Sequence, residues 1–217
     1  MPALIFWDVD TQYDFIYSDG RLYVPDSESI IPELEKLSRY AHEHSIVVVA
    51  SADNHELTDP EISDAPDFRE TFPPHCMRGT PGQQKVESTA LRDPLVIEPA
   101  PLPLDDLTTK LQVHNGDILL HKQRFDVFSN PNAGPVLEIL DPDEIVLYGV
   151  ALDVCNKFAI EGILERRPEV TLTLVTDATR PINPAEGERL LSEWRKRGVR
   201  MKSTQALLTK LRSQVHA

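Results

Sequence analysis

The chain has only two cysteines, Cys76 and Cys155, among its 217 residues. That is too few for a disulfide scaffold at this length, and it leaves one bridge between the two as the only cross-link open to it. Basic residues are scarce as well: 22 lysines and arginines stand against 35 acidic residues, a formal net charge of −13. Nucleic acids and anionic membrane surfaces are recognised through lysine and arginine patches, so the deficit argues against both and favours a small neutral or cationic substrate. No apolar run approaches the roughly 20 residues needed to cross a bilayer. Met1-Pro2-Ala3-Leu4-Ile5-Phe6 enters a strand pattern without a basic leader region, which gives the expectation of a cytoplasmic protein. Internal repeats and low-complexity tracts are absent.

What is there alternates. Short apolar runs at 3–7, 46–50, 117–120, 144–150 and 170–175 read as strands, with a further short run at 94–98. Helical spacing follows at 29–42, 131–140, 153–166, 184–197 and 203–215, with Pro32 tolerable in a first turn. Strands of nearly continuous apolar character between helices predict an α/β fold of three layers, α/β/α, around a mainly parallel, roughly six-stranded Rossmann-like sheet. The length suits one domain, 1–217. Residues 53–104 break the pattern, with nine of the eighteen prolines and little periodicity. So long an irregular tract inside a compact domain is usually functional or disordered, and its histidines and acids point to function.

Open parallel sheets bind ligands beyond the carboxyl ends of their strands. The first strand ends in Asp8-Val9-Asp10, the second reaches Asp53-Asn54-His55, the third ends at Lys122, and the fourth leads through a short turn to Cys155. A thiol opening a helix sits in the positive end of its dipole, which favours the thiolate and a nucleophilic role. Lys122 supplies a cation for that thiolate and Asp10 a proton acceptor. Backbone amides of Ala151 and Cys155 are placed to receive an oxyanion. Asp53-x-His55 puts two side chains on one face of an extended segment, and His75 from the proline-stiffened loop completes a candidate three-ligand metal site, with Glu61, Asp64 or Asp67 as a possible fourth. The alternative is a capping aspartate with two surface histidines. A second, distant alternative takes Asp8 and Asp10 as nucleophile and acid of a haloacid-dehalogenase-like phosphatase; it leaves Cys155 and the histidines without roles.

Four segments together resemble the isochorismatase-like cysteine hydrolase superfamily, and within it nicotinamidases. They are Leu4 to Phe15 with its Asp10-x-Gln12, Lys122 to Phe128, Gly149 to Cys155, and Asp53-x-His55 with Phe72-Pro73-Pro74-His75. The resemblance implies catalytic Asp10, Lys122 and Cys155, a cis Val150–Ala151 peptide, and an oxyanion hole of the Ala151 and Cys155 amides. It also implies Phe15 and Phe72 as walls for a flat ring. A divalent metal, zinc foremost with iron or manganese as alternatives, would lie on Asp53, His55 and His75. The implied reaction is amide hydrolysis through a thioester, most like nicotinamide to nicotinate in NAD salvage, with another small amide or ureide as the runner-up substrate. A homo-oligomer is expected on the same ground. Two positions depart from the family pattern: Leu152 stands where many relatives carry threonine, and Glu61 where many carry a second histidine.

Overall fold

The structure is a computed structural model that describes residues 3–215. Met1, Pro2, His216 and Ala217, which bound the stretch read as one domain, lie outside the described residues. Seven strands form one sheet: β1 (Leu4–Val9), β2 (Val47–Asp53), β3 (Leu95–Ile97), β4 (Ile118–Lys122), β5 (Glu144–Val150), β6 (Thr171–Arg180) and β7 (Arg200–Lys202). Their order is β3-β4-β2-β1-β5-β6-β7, and every pairing is parallel. The sequence reading of about six strands is one short. The additional strand is β7, three polar or half-exposed residues at the sheet edge that carry no apolar run for a pattern to detect.

Alternation along β1 separates the two cores. Ile5, Trp7 and Val9 face one side with the buried residues of α3 (Leu104–Val113), α4 (Ala133–Leu140), α5 (Cys155–Arg166) and α6 (Pro184–Lys196). Phe6 faces the other with α1 (Tyr13–Ile16), α2 (Ile31–Glu43) and α7 (Thr204–Val215). Trp7, Trp194, Phe6 and Tyr148 are fully buried, and each such side chain contributes roughly 1.5–3 kcal/mol or more by leaving water. Helix α3 is a second element absent from the sequence reading. It begins where the proline-rich tract ends, with Leu104, Leu107 and Leu111 at helical spacing and Asp105 and Asp106 in its first turn. Both cysteines are free and buried, so the one possible bridge does not form.

Strand order reverses between β1 and β5, since β2 and β4 lie on one side of β1 and β6 and β7 on the other. Such a switch point opens a crevice at the strands' carboxyl ends, and Asp10 and the turn after β5 flank it. The crevice depends on a close approach of backbones. A Cβ added at Gly149, which has φ +115°, would lie 2.0 Å from the Val9 carbonyl oxygen. Only glycine fits there, and the β5–β6 register shifts at the same place.

Candidate active site

Four strand ends deliver the polar residues. Asp10 leaves β1 with φ +49°, a left-handed conformation costing about 1–3 kcal/mol that turns the chain out of the sheet. Its Oδ1 accepts from Ser51 Oγ at 2.6 Å, and Oδ2 lies 2.8 Å from the Lys122 ammonium. That ion pair lacks hydrogen-bond alignment, and Oδ2 has no other partner. Lys122 ends β4 directly opposite Asp53 at the end of β2, and its Nζ donates to Asp53 Oδ1. The same ammonium lies 3.8 Å from Cys155 Sγ. Asp10, Lys122 and Cys155 therefore meet around one nitrogen, as the strand-end pattern predicts.

Burial works against a charge on Lys122, but Asp10 and Asp53 outweigh it and hold its pKa well above the ordinary lysine range. Asp53 is likewise buried, yet Lys122, His55 and His75 hold its carboxyl well below the usual carboxylate range. Cys155 behaves differently from the thiolate expected at a helix start. Burial pushes the thiol well up, Lys122 pulls it down, and the Asp10 and Asp53 carboxylates push it up again. A raised pKa favours the thiol over the thiolate, so attack by this sulfur would need a nearby base to take its proton.

The Val150–Ala151 peptide is cis. Ala151 O accepts from Val154 N–H at 3.1 Å and Asn156 N–H at 3.0 Å, which folds the turn into α5. Among the described residues, the amides of Ala151 and Cys155 find no acceptor. Leu152 does not border the cavity: it is buried in the core and meets Gly187 of α6. The side chain at this departure from the family pattern packs between sheet and helix.

Asp53, His55 and His75 present ligand atoms within 4.8 Å of one another, all buried. Asp53 Oδ2 lies 3.7 Å from His55 Nε2 and 3.6 Å from His75 Nε2. The far nitrogens are held: His55 Nδ1 lies 3.3 Å from Asp59 Oδ2, and His75 Nδ1 lies 2.8 Å from Pro73 O. Rings anchored through Nδ1 turn Nε2 toward a common point, the usual arrangement around a ligated metal. Of the three candidate fourth ligands, Glu61 alone comes near, with Oε2 3.8 Å from His55 Nε2. Burial and Asp53 raise its pKa to about 6. Asp64 is exposed, and Asp67 turns its Oδ1 to the amides of Arg69, Glu70 and Thr71. His55 Nε2 and Glu61 Oε2 are buried without partners. Orphaned donors of this kind, nitrogen and oxygen together, fit a divalent cation.

Residues to which the sequence reading assigned no role hold the two groups together. Gln12 donates to Asp53 O at 2.8 Å and accepts from Asp53 N–H at 2.7 Å, clamping that residue's backbone. Asp14 Oδ2 accepts from Cys76 N–H at 2.6 Å and seats the loop beside His75. The cavity above has an empty volume of about 460 Å³ and is lined by Asp53, His75 and Cys155. Its walls are Phe15, Leu22, Val24, Phe72, Phe125, Val150, Ala151, Val154 and Ile182. Phe15 and Phe72 thus lie where the resemblance puts them, and both rings approach His75, with centroids 5.5 and 6.3 Å away. No lysine or arginine lines the cavity among the described residues. Asp8 is not in it; Lys85 at 2.9 Å and Thr11 at 2.8 Å occupy its carboxylate, which leaves the phosphatase alternative without a nucleophile.

The profile of the isochorismatase domain family matches residues 2–206. The chain belongs to that family. It is a hydrolase. It is similar to the nicotinamidase of Saccharomyces cerevisiae, 26% identical over 203 residues that span 81% of this chain and 87% of the relative. Among solved structures it is similar to the pyrazinamidase of Pyrococcus horikoshii in complex with zinc, with a TM-score of 0.69 and 24% identity over 93% of this chain and 99% of that one. An isochorismatase family protein from Desulfovibrio vulgaris shares the fold at a TM-score of 0.73 and 20% identity, over 97% of this chain and 99% of the other. Among the described residues, no helix of this family member is long and apolar enough to cross a membrane.

Proposed function

We propose that this hydrolase cleaves the carbon–nitrogen bond of a small neutral aromatic carboxamide, nicotinamide foremost, and releases the acid and ammonia. The observation that carries the reading is one juxtaposition. Cys155 of the Asp10–Lys122–Cys155 group and Asp53 and His75 of the Asp53/His55/His75 cluster line one cavity whose remaining walls are apolar and partly aromatic. Among the described residues, no lysine or arginine lines those walls to pair with an anionic substituent on the substrate's ring.

In this mechanism Asp10 Oδ2 takes the Cys155 proton as sulfur attacks the carboxamide carbon. The carbonyl oxygen becomes an oxyanion between the Ala151 and Cys155 amides, both free to donate. Asp10 returns the proton to the leaving nitrogen, ammonia departs, and the acyl group remains as a thioester on Cys155. A water that gives a proton to Asp10 then attacks the thioester carbon, the carbon–sulfur bond breaks to release the acid, and Asp10 passes the proton back to the departing sulfur. The Lys122 ammonium, 2.8 Å from Asp10 Oδ2 and 3.8 Å from Cys155 Sγ, offsets negative charge as it passes between the two. Asp53, His55 and His75 would hold a divalent metal, zinc by donor type, with Glu61 beside them; when bound it supplies a Lewis-acidic contact that orients a ring nitrogen. Phe15, Phe72 and Phe125 bracket the ring.

An ammonia-release assay on nicotinamide, pyrazinamide, benzamide and a ureide, with and without chelator, tests the reading. Turnover of the two azine carboxamides that falls on chelation and returns with zinc, manganese or ferrous iron is expected. Preference for the ureide would overturn it.

A further inference from the structure

Ile182 is 50% exposed and also lines the catalytic cavity. A single exposed isoleucine needs no explanation, but one fixed at the mouth of a cavity does. Its loop is fixed in several ways. Pro181 and Pro184 flank Ile182-Asn183 and restrict the backbone on both sides. Asp153 receives both intervening amides: Ile182 N–H donates to Oδ1 at 2.8 Å and Asn183 N–H to Oδ2 at 2.7 Å. Leu152 N–H donates to Arg180 O at 2.8 Å, closing the other side of the loop. Arg180 also donates to Asp26 Oδ2 and Ser29 Oγ, both at 2.8 Å, on the segment that follows the lining residue Val24.

The chain distance is short. Asp153 precedes Cys155 by two residues, so one turn places the nucleophile and, through both oxygens of a carboxylate, a wall of the cavity that it lines. A carboxylate accepting two backbone amides holds a loop more firmly than a single neutral hydrogen bond would. The Ile182 backbone therefore cannot move aside for a large ligand without breaking the charge-assisted bonds to Asp153.

We propose that Ile182 is a specificity-determining residue, limiting the bulk admitted beside Cys155, and that Asp153 is its positioning residue. Compact planar ring carboxamides pass, and ring substituents directed at Ile182 are refused. The substrate class named here rests on the carboxamide reading above; the steric limit does not.

The test uses the full chain and an electrophile whose size varies while its chemistry does not. Iodoacetamide and N-(1-naphthyl)iodoacetamide each form a sulfur–carbon bond on Cys155 with loss of iodide, and peptide mass mapping separates that adduct from any on buried Cys76. Ile182→Ala is expected to raise the naphthyl-to-parent rate ratio about tenfold, the scale on which an apolar pocket registers a small change in bulk. Asp153→Asn, which keeps one acceptor oxygen, is expected to raise the ratio part of the way and to add nothing on the Ile182→Ala background. Ring-substituted nicotinamides should show the same order through a lower KM in Ile182→Ala. An unchanged alkylation ratio in Ile182→Ala overturns the wall, and additive effects in the double variant overturn the role of Asp153. If the unaltered enzyme releases ammonia from no azine carboxamide, the carboxamide reading fails, and the alkylation ratio still decides the steric limit.

Discussion

Lys122 and Asp53 are register partners at the ends of β4 and β2, and the Lys122 ammonium holds one oxygen of the Asp53 carboxylate while the other faces His55 and His75. One carboxylate therefore belongs to both halves of the site. The buried ammonium has a second anion, Asp10, at 2.8 Å and the Cys155 sulfur at 3.8 Å. A single cation between two carboxylates leaves the cluster net negative, which suits a divalent metal and adds to burial in raising the Cys155 pKa.

Replacing Lys122 by Met keeps its volume and strands two buried carboxylates. Breaking a buried pair this way costs about 3–5 kcal/mol. Urea unfolding followed by circular dichroism should show the loss; a change below about 1 kcal/mol, the scale of an exposed pair, would contradict the buried geometry.

Cys155→Ala should lower ammonia release by at least about 10⁴-fold, the scale seen when a nucleophile is removed. Intact-mass spectrometry during turnover should find an acyl adduct on the unaltered chain and none on the variant. Substantial residual hydrolysis by Cys155→Ala would exclude the thioester route.

His75→Ala removes one of the three residues proposed to hold the metal, whereas Asp59→Asn alters only the carboxylate beside His55 Nδ1. Bound metal after dialysis, measured by plasma mass spectrometry, should vanish in the first, and affinity should fall about 10–100-fold in the second. Equal metal content in all three proteins would place the ion elsewhere.

Because burial and two carboxylates raise the Cys155 pKa, the thiolate is the minority form at neutral pH and grows with rising pH. Iodoacetamide reacts with thiolate, so the alkylation rate should still climb above about pH 8.5, where a free cysteine begins to level off. A plateau near neutrality would mean that the Lys122 charge outweighs burial.

Gln12→Leu should destabilise the chain by about 1–3 kcal/mol, since it leaves the buried Asp53 amide and carbonyl without their partner. Thermal unfolding checks the stability term. Metal retention in the same variant checks whether the clamp also positions Asp53.

Asp10, Lys122 and Cys155 are legible in the chain because each stands where an apolar strand ends, and a parallel sheet gathers such ends along one edge. His55 and His75 are legible through extended spacing and the proline-stiffened loop. Leu22, Val24, Phe125 and Ile182 are not: apolar residues in loops have no periodicity, and their convergence on the cavity depends on several connections folding over the same crevice. Strand β7 and helix α3 escape for related reasons, one too short and polar, the other masked by the prolines before it.

By itself, then, the sequence determined the layered parallel sheet and the residue types at its catalytic edge, because both rest on periodicity and local chain chemistry. Tertiary structure alone decided that Glu61 rather than Asp64 or Asp67 comes near His55, that Leu152 faces the core, and that burial raises the Cys155 pKa. Those outcomes turn on burial and on distances between segments far apart in the chain, where a few ångströms change which charge a group meets and whether water reaches it.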